Sequence, residues 1–142
     1  MEEIMEHFYS SDQNVQMLIT LLKSHNIKTV IASPGTGNMQ FIGSIQQDSF
    51  FKVYSCVDER SAAYMACGIV SETNEPVVLS CTGATASRNY FPALTEAFYR
   101  KLPILVVTFG QKMCNNNNLI PQNINRTKQP VDTVKKVSIY RQ

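Results

Sequence analysis

Hydrophobic positions change their period several times along this chain, and each change marks an element. Val15, Leu18, Ile19 and Leu22 recur at i, i+3, i+4 and i+7, behind Ser11 and Asp12, either of which can cap a helix. Lys28 to Ala32 reads as a short buried strand, and Ser33-Pro34-Gly35-Thr36-Gly37-Asn38 as a loop by its turn chemistry. Met39 to Ile45 carries a weaker helical pattern, and Phe51 to Cys56 a second strand. Arg60 to Val70 is apolar on nearly every side, which predicts a helix buried all round. Asn74-Glu75-Pro76 is a turn, Val77 to Ser80 a third strand, and Thr82 to Ser87 a loop of small residues. Asn89 to Arg100 is a helix with Leu94, Ala97 and Phe98 inward, and Pro92 fits it only near the first turn. Pro103 to Thr108 is an unbroken apolar run, rich in β-branched residues, and forms the fourth strand.

Strands therefore alternate with helices. Continuously apolar strands are the mark of a parallel sheet covered on both faces. The expected fold is α/β: three layers, with a mostly parallel twisted sheet between helices. A typical sheet has about five or six strands, so four read as a sheet truncated at its C-terminal end. The core of the domain is expected over residues 1–109. Residues 110–142 change character, with the asparagine run Asn115 to Asn118, and recover some periodicity only at Val131 to Tyr140. They read as a polar loop and a weak terminal helix of the same domain.

Composition narrows the classes. At 142 residues and 44% hydrophobic, this is one domain's worth of globular chain. The net charge of +2 and the scattered Lys and Arg give nucleic-acid binding little support. No apolar run approaches the roughly 18 residues of a membrane span. The N-terminus is acidic and carries no secretory pattern, so a cytoplasmic location is expected. Cys56, Cys67, Cys81 and Cys114 show no C-x-x-C spacing and read as free thiols, not as a metal or redox site. Asn125-Arg126-Thr127 matches a glycosylation acceptor, which without a secretion signal reads as chance.

In parallel α/β sheets, ligands sit beyond the carboxyl ends of the strands. Loops 33–38, 57–60 and 81–88 all start there, and they hold the chain's sharper features. Gly35-Thr36-Gly37 after a strand invites a dinucleotide reading, but Gln40 stands where the third glycine belongs, and a tight turn leaving the first strand explains the pair better. His7 and His25 read as surface residues. The run from Thr82 to Asn89 could pack a helix start against the sheet, or let backbone approach a flat ligand. The acidic pair Asp58-Glu59 opens the apolar helix. Glu59 could interact with the helix dipole or pair with Arg60 or Arg88. It could instead be a buried carboxylate with a task.

Three segments carry a family resemblance. They are Ser33-Pro34-Gly35, then Asp58-Glu59-Arg60-Ser61-Ala62-Ala63, and then Ser80-Cys81-Thr82-Gly83-Ala84-Thr85-Ala86 running on through Leu94-Thr95-Glu96-Ala97 to Leu102-Pro103 and the fourth strand. Together they resemble the pyrimidine-binding N-terminal domain of thiamine diphosphate enzymes, of the acetolactate synthase and benzoylformate decarboxylase type. Within that group the SEPHCHC synthase branch is most similar. The match spans residues 10–109, with an echo at Ile120-Pro121-Gln122-Asn123-Ile124.

The resemblance implies a thiamine diphosphate cofactor and a catalytic role for Glu59. That carboxyl would hydrogen-bond a ring nitrogen of the aminopyrimidine and favour its imino form, which lets the exocyclic nitrogen deprotonate the thiazolium carbon. It also implies Pro34, Gly35, Thr82, Gly83, Ala84, Asn89 and Gln122 as cofactor-binding residues. Two departures stand out. The SEPHCHC synthase branch carries an arginine where Gly37 stands and a serine where Thr36 stands. The family holds magnesium and diphosphate on a Gly-Asp-Gly segment of another domain, and no Gly-Asp-Gly occurs here. The resemblance thus implies a domain or subunit of a 2-oxoacid decarboxylase or carboligase, inactive alone. The diphosphate and magnesium would be bound by a separate domain or partner subunit, in a homo-oligomer. The alternatives are a non-catalytic α/β interaction or regulatory module, and a nucleotide-binding domain using Gly35 and Gly37.

Overall fold

A computed structural model describes residues 9–110 and 129–138, with Ala84 described by its backbone alone. Expectations at His7, Cys114, Asn115 to Asn118, Gln122 and Asn125 to Thr127 lie outside the described residues. In chain order the elements are α1 (Gln13–Ser24), β1 (Thr29–Ala32), a 3-10 turn (Thr36–Asn38), α2 (Met39–Gln46) and β2 (Lys52–Ser55). Then follow α3 (Glu59–Thr73), β3 (Val77–Thr82), α4 (Gly83–Arg88), α5 (Phe91–Arg100) and β4 (Ile104–Phe109).

The strands form one sheet in the order β2-β1-β3-β4, and every pairing is parallel. The central strands β1 and β3 are buried along almost their whole length, while the edge strand β2 is largely exposed. Side chains alternate across a strand, and they sort into two cores here. Ile31, Val77, Leu79 and Cys81 face a layer built from α3 and α5, with Ala62, Ala66, Val70, Leu94 and Ala97. Val30, Ala32 and Val78 face α1 and α2, with Val15, Ile19, Leu22, Phe41 and Ile45. The three-layer α/β expectation holds.

Capping fixes where helices begin. Asp12 Oδ1 accepts from the backbone N–H groups of Asn14 at 2.8 Å and Val15 at 3.2 Å. That satisfies two donors the first turn would otherwise leave open. Asp58 caps α3, accepting from one such donor, Ser61 N, at 2.7 Å. Helix α3 ends at Asn74, which takes the left-handed conformation at φ 56.

Four expectations need correcting. Helix α3 is not buried all round: Ala62, Ala63, Ala66, Cys67 and Val70 face the sheet, while Tyr64 and Met65 are 46% and 39% exposed. The small residues form only one stripe, and the outer face holds apolar side chains that the described residues leave uncovered. The segment 82–87 is not a loop, because Gly83–Arg88 forms the short helix α4. The next helix accordingly starts at Phe91 and not at Asn89, with Pro92 in its first turn. Over the described part of 131–140 there is no helix, only a turn at Val131, Asp132 and Thr133, where Thr133 N bonds Pro130 O.

At the amino edge, Tyr9, Lys23 and Asp48 knot the chain together. The Tyr9 hydroxyl donates to Asp48 Oδ2, and Lys23 Nζ lies 2.6 Å from the same oxygen. Lys23 and Lys28 each stand 5.8 Å from the centre of the Phe50 ring.

Candidate functional site

Because the strands are parallel, the segments leaving β1, β2 and β3 share the carboxyl edge of the sheet. From β1 the chain turns to the α1/α2 layer, and from β3 to the α5 layer. That divergence is a topological switch point, where parallel α/β sheets open a crevice.

The two segments flanking that switch point are tied to each other. Ser33 N donates to Ser80 O at 2.8 Å. The fully buried Asn38 donates from Nδ2 to Ser33 O and to Ser80 Oγ, both at 3.1 Å, and accepts from Gly35 N at 2.9 Å. One amide thus pins the exit of β1 to β3. In sequence Asn38 reads only as a turn residue; its reach to Ser80, 42 positions on, is set by the sheet.

The glycines of this loop are explained by proximity. A Cβ on Gly35 would lie 2.8 Å from both Cγ2 and Oγ1 of Thr82, and one on Gly37 would lie 3.3 Å from Phe109 O and Thr82 Cβ. Both glycines make room for neighbouring strand ends, which favours the tight-turn reading of Gly35-Thr36-Gly37. Gly83 has a different reason. Its φ is 66, in the region that favours glycine, as the chain breaks from β3 directly into α4.

Glu59 stands at the first position of α3, partly exposed, on the same edge. Among the described residues it forms no ion pair with either of its two expected arginine partners, Arg60 and Arg88. The capping work of the acidic pair falls wholly to Asp58, whose bonds from Ser61 hold its carboxyl below the usual carboxylate range. Of the other expected site residues, Pro34 and Gly35 lead into the 3-10 turn, and Thr82, Gly83 and Ala84 span the β3–α4 junction. Asn89 closes α4, donating to Thr85 O at 3.4 Å, and is exposed. The fold brings the 33–38, 58–60 and 82–84 segments to one edge; Gln122 lies outside the described residues.

Two buried side chains at this edge carry no signal in the sequence. Ser33 and Tyr90 are 3% and 0% exposed. Burial, and after it the neighbouring Cys81, push the Tyr90 phenol far above its ordinary range, while Ser33 works the other way. Cys56, Cys67 and Cys81 are reduced and form no disulfide. Among the described residues no helix is long and apolar enough to cross a membrane, and no three His, Cys, Asp or Glu residues gather as a metal site.

A four-stranded parallel sheet with helices on both faces, and with glycine-bearing segments and an acidic pair at its switch point, places the chain in the doubly wound α/β class. More particularly, residues 13–134 match the family model described as thiamine pyrophosphate enzyme, N-terminal TPP binding domain, and the chain belongs to that family. It is 36% identical over 112 residues to the 2-succinyl-5-enolpyruvyl-6-hydroxy-3-cyclohexene-1-carboxylate synthase of Lysinibacillus sphaericus, covering 79% of this chain and 20% of that protein. To the synthase of the same name from Porphyromonas gingivalis it is 38% identical over 104 residues, covering 73% and 18%. The benzoylformate decarboxylase structure from Polynucleobacter necessarius superposes with a TM-score of 0.73 at 24% identity, over 85% of this chain and 23% of that one, a likeness of fold. The chain thus spans about a fifth of the length of the curated relatives it matches.

Proposed function

We propose that this chain supplies the aminopyrimidine side of a thiamine diphosphate site in a 2-oxoacid decarboxylase or carboligase, with Glu59 as its catalytic acid. The carrying observation is the division of labour at the start of α3. Asp58 alone caps the helix, and Glu59 remains at the carboxyl edge with no ion pair among the described residues.

The surroundings fit a flat heterocycle. Gly83 brings backbone to the edge without a side chain; Pro34, Gly35, Thr82 and Ala84 belong to the two segments that flank the switch point, and Asn89 follows at the end of α4. Bound thiamine diphosphate would supply a carbon nucleophile able to add to a 2-oxoacid. Glu59 would hold a shared proton against a pyrimidine ring nitrogen, while the 33–38 and 82–84 segments orient the ring. The sequence has no Gly-Asp-Gly, so magnesium and diphosphate belong to another domain or a partner subunit. The outer face of α3, with Tyr64 and Met65 exposed, is the surface for pairing with such a partner or a second copy.

Two measurements test this reading. In the assembled enzyme Glu59→Gln lowers turnover by about 10²–10⁴-fold, the usual worth of a positioned proton carrier, while circular dichroism reports an intact fold. Near-normal turnover would remove Glu59 from the mechanism and leave the non-catalytic module. Calorimetry of the 142-residue chain with thiamine diphosphate and magnesium shows negligible affinity; tight binding would overturn the half-site argument.

A further inference from the structure

The turn that leaves β1 has no strand ladder to satisfy its peptide groups, because β1 ends at Ala32. Backbone N–H and C=O groups withdrawn from water still need partners. Ser33 N donates to Ser80 O at 2.8 Å, and Pro34 has no N–H to place. Two further groups of the turn depend on Asn38. Gly35 N donates to Asn38 Oδ1 at 2.9 Å, and Ser33 O accepts from Asn38 Nδ2 at 3.1 Å. The same Nδ2 donates to Ser80 Oγ at 3.1 Å. These partners fix the orientation of the amide, since a peptide N–H only donates and a carbonyl oxygen only accepts. An apolar side chain at this fully buried position would fill the space and leave Gly35 N and Ser33 O without these bonds. Packing therefore does not account for Asn38.

On its other side the turn is held by contact. A Cβ on Gly35 would lie 2.8 Å from Thr82 Cγ2, and one on Gly37 would lie 3.3 Å from Phe109 O, so the turn rests on the last residues of β3 and β4. We propose that Asn38 is a positioning residue for the ligand of this edge, holding the 33–38 turn against the 82–84 segment before any ligand arrives. Pro34 and Thr36 stay exposed on the turn, while Asn38 is fully buried and out of a ligand's reach. It acts only through the backbone it ties down. Such preorganisation lowers the ordering cost of binding, and fixing one residue's backbone is worth about tenfold in an equilibrium constant. The role toward thiamine diphosphate rests on the function proposed above; the tie itself does not.

Hydrogen exchange followed by nuclear magnetic resonance in the 142-residue chain reads the tie. The Gly35 amide should exchange slowly in the wild type and in Ser80→Ala, which keeps its acceptor, and about tenfold faster or more in Asn38→Ala. Equal exchange in wild type and Asn38→Ala overturns the tie. Calorimetry and steady-state kinetics of the assembled enzyme read the positioning. Asn38→Ala should weaken thiamine diphosphate about tenfold or more, and the loss should fall much less on turnover at saturating cofactor. Ser80→Ala cuts only the side-chain tie to β3 and should weaken the cofactor about threefold; it decides the matter if Asn38→Ala does not fold. A lowered melting temperature with unchanged cofactor affinity, in either variant, overturns the positioning role and leaves a merely structural asparagine. A wild-type enzyme that binds no thiamine diphosphate overturns the proposed function and this role together, with the exchange difference at Gly35 intact. Near-normal turnover of Glu59→Gln, with the affinity losses above intact, overturns the catalytic acid alone and supports Asn38.

Discussion

Gly35→Ala tests whether the crevice is set by a close approach or by backbone freedom. Gly35 has φ −170, an extended value that alanine adopts freely. Backbone strain therefore contributes nothing, and the new methyl decides the outcome. It would lie 2.8 Å from Thr82 Cγ2 and from Thr82 Oγ1, against the roughly 3.5–4.0 Å of a comfortable carbon contact. Thr82 cannot easily yield, because it is β-branched and pairs with Phe109 as the last residue of β3. Overpacking of this kind costs about 1–3 kcal/mol. Alanine returns about 0.4–1 kcal/mol by restricting the unfolded chain. A net loss of about 1–2 kcal/mol lowers the melting temperature by roughly 2–8 °C in a domain of this size. Thr82→Ala removes both crowding atoms and leaves only Thr82 Cβ, at 3.4 Å. In that background Gly35→Ala should be neutral or slightly stabilising, which gives a coupling of about 1–3 kcal/mol in the double-mutant cycle. Urea unfolding followed by circular dichroism measures all four proteins. A neutral Gly35→Ala in the wild-type background, or the same penalty with and without Thr82, would refute the close-approach account.

Other outcomes follow from the same geometry. Gly68 lies mid-helix in α3, and a Cβ added there would meet nothing within 4 Å, so Gly68→Ala should stabilise the chain by about 1 kcal/mol. If the outer face of α3 is an interface, the same change weakens self-association in sedimentation; a stabilised chain with unaltered association would exclude Gly68 from that interface. Asp48 is partly buried, and burial alone would raise its pKa, but the bonds from Lys23, Tyr9 and Phe50 N outweigh that and leave it below the usual value. A lowered folded pKa favours the carboxylate in the native state, so its stabilisation is complete above the unfolded value near 4 and is lost as pH falls through the folded one. Asp48→Asn should therefore be less stable than wild type at pH 7, with the gap closing in acid; a gap constant from pH 7 to pH 3 would refute the linkage.

The order of elements was readable because burial leaves a period. Val15, Ile19 and Leu22 recur as a helix must, and β1 and β3 are continuously apolar because both faces of the sheet are covered. Ser11-Asp12 and the acidic pair Asp58-Glu59 marked where α1 and α3 begin, and the structure gives the capping to Asp12 and Asp58. The errors fell where local signals are silent. Gly83 to Arg88 is too short for periodicity, so its small residues read as loop although they form α4. The outer face of α3 looked like core because Tyr64 and Met65 are apolar, and only the packing of its neighbours shows which side is covered.

For the site, the sequence alone determined which chemistry is present: an acid after a strand, a glycine where small residues cluster, and the motif order that marks the family. Only the tertiary structure decided which of those groups share an edge and which role each one plays. Parallel pairing of β1, β2 and β3 brings the segments that follow them together. Asn38 becomes a cross-strand pin, Thr82 the reason for two glycines, and Tyr90 a phenol buried in the core. The physical reason is range. Periodicity, caps and turns act over a few residues, whereas the contacts that assign a role to Asn38, Thr82 and Tyr90 join positions tens of residues apart, and they exist only once the sheet has formed.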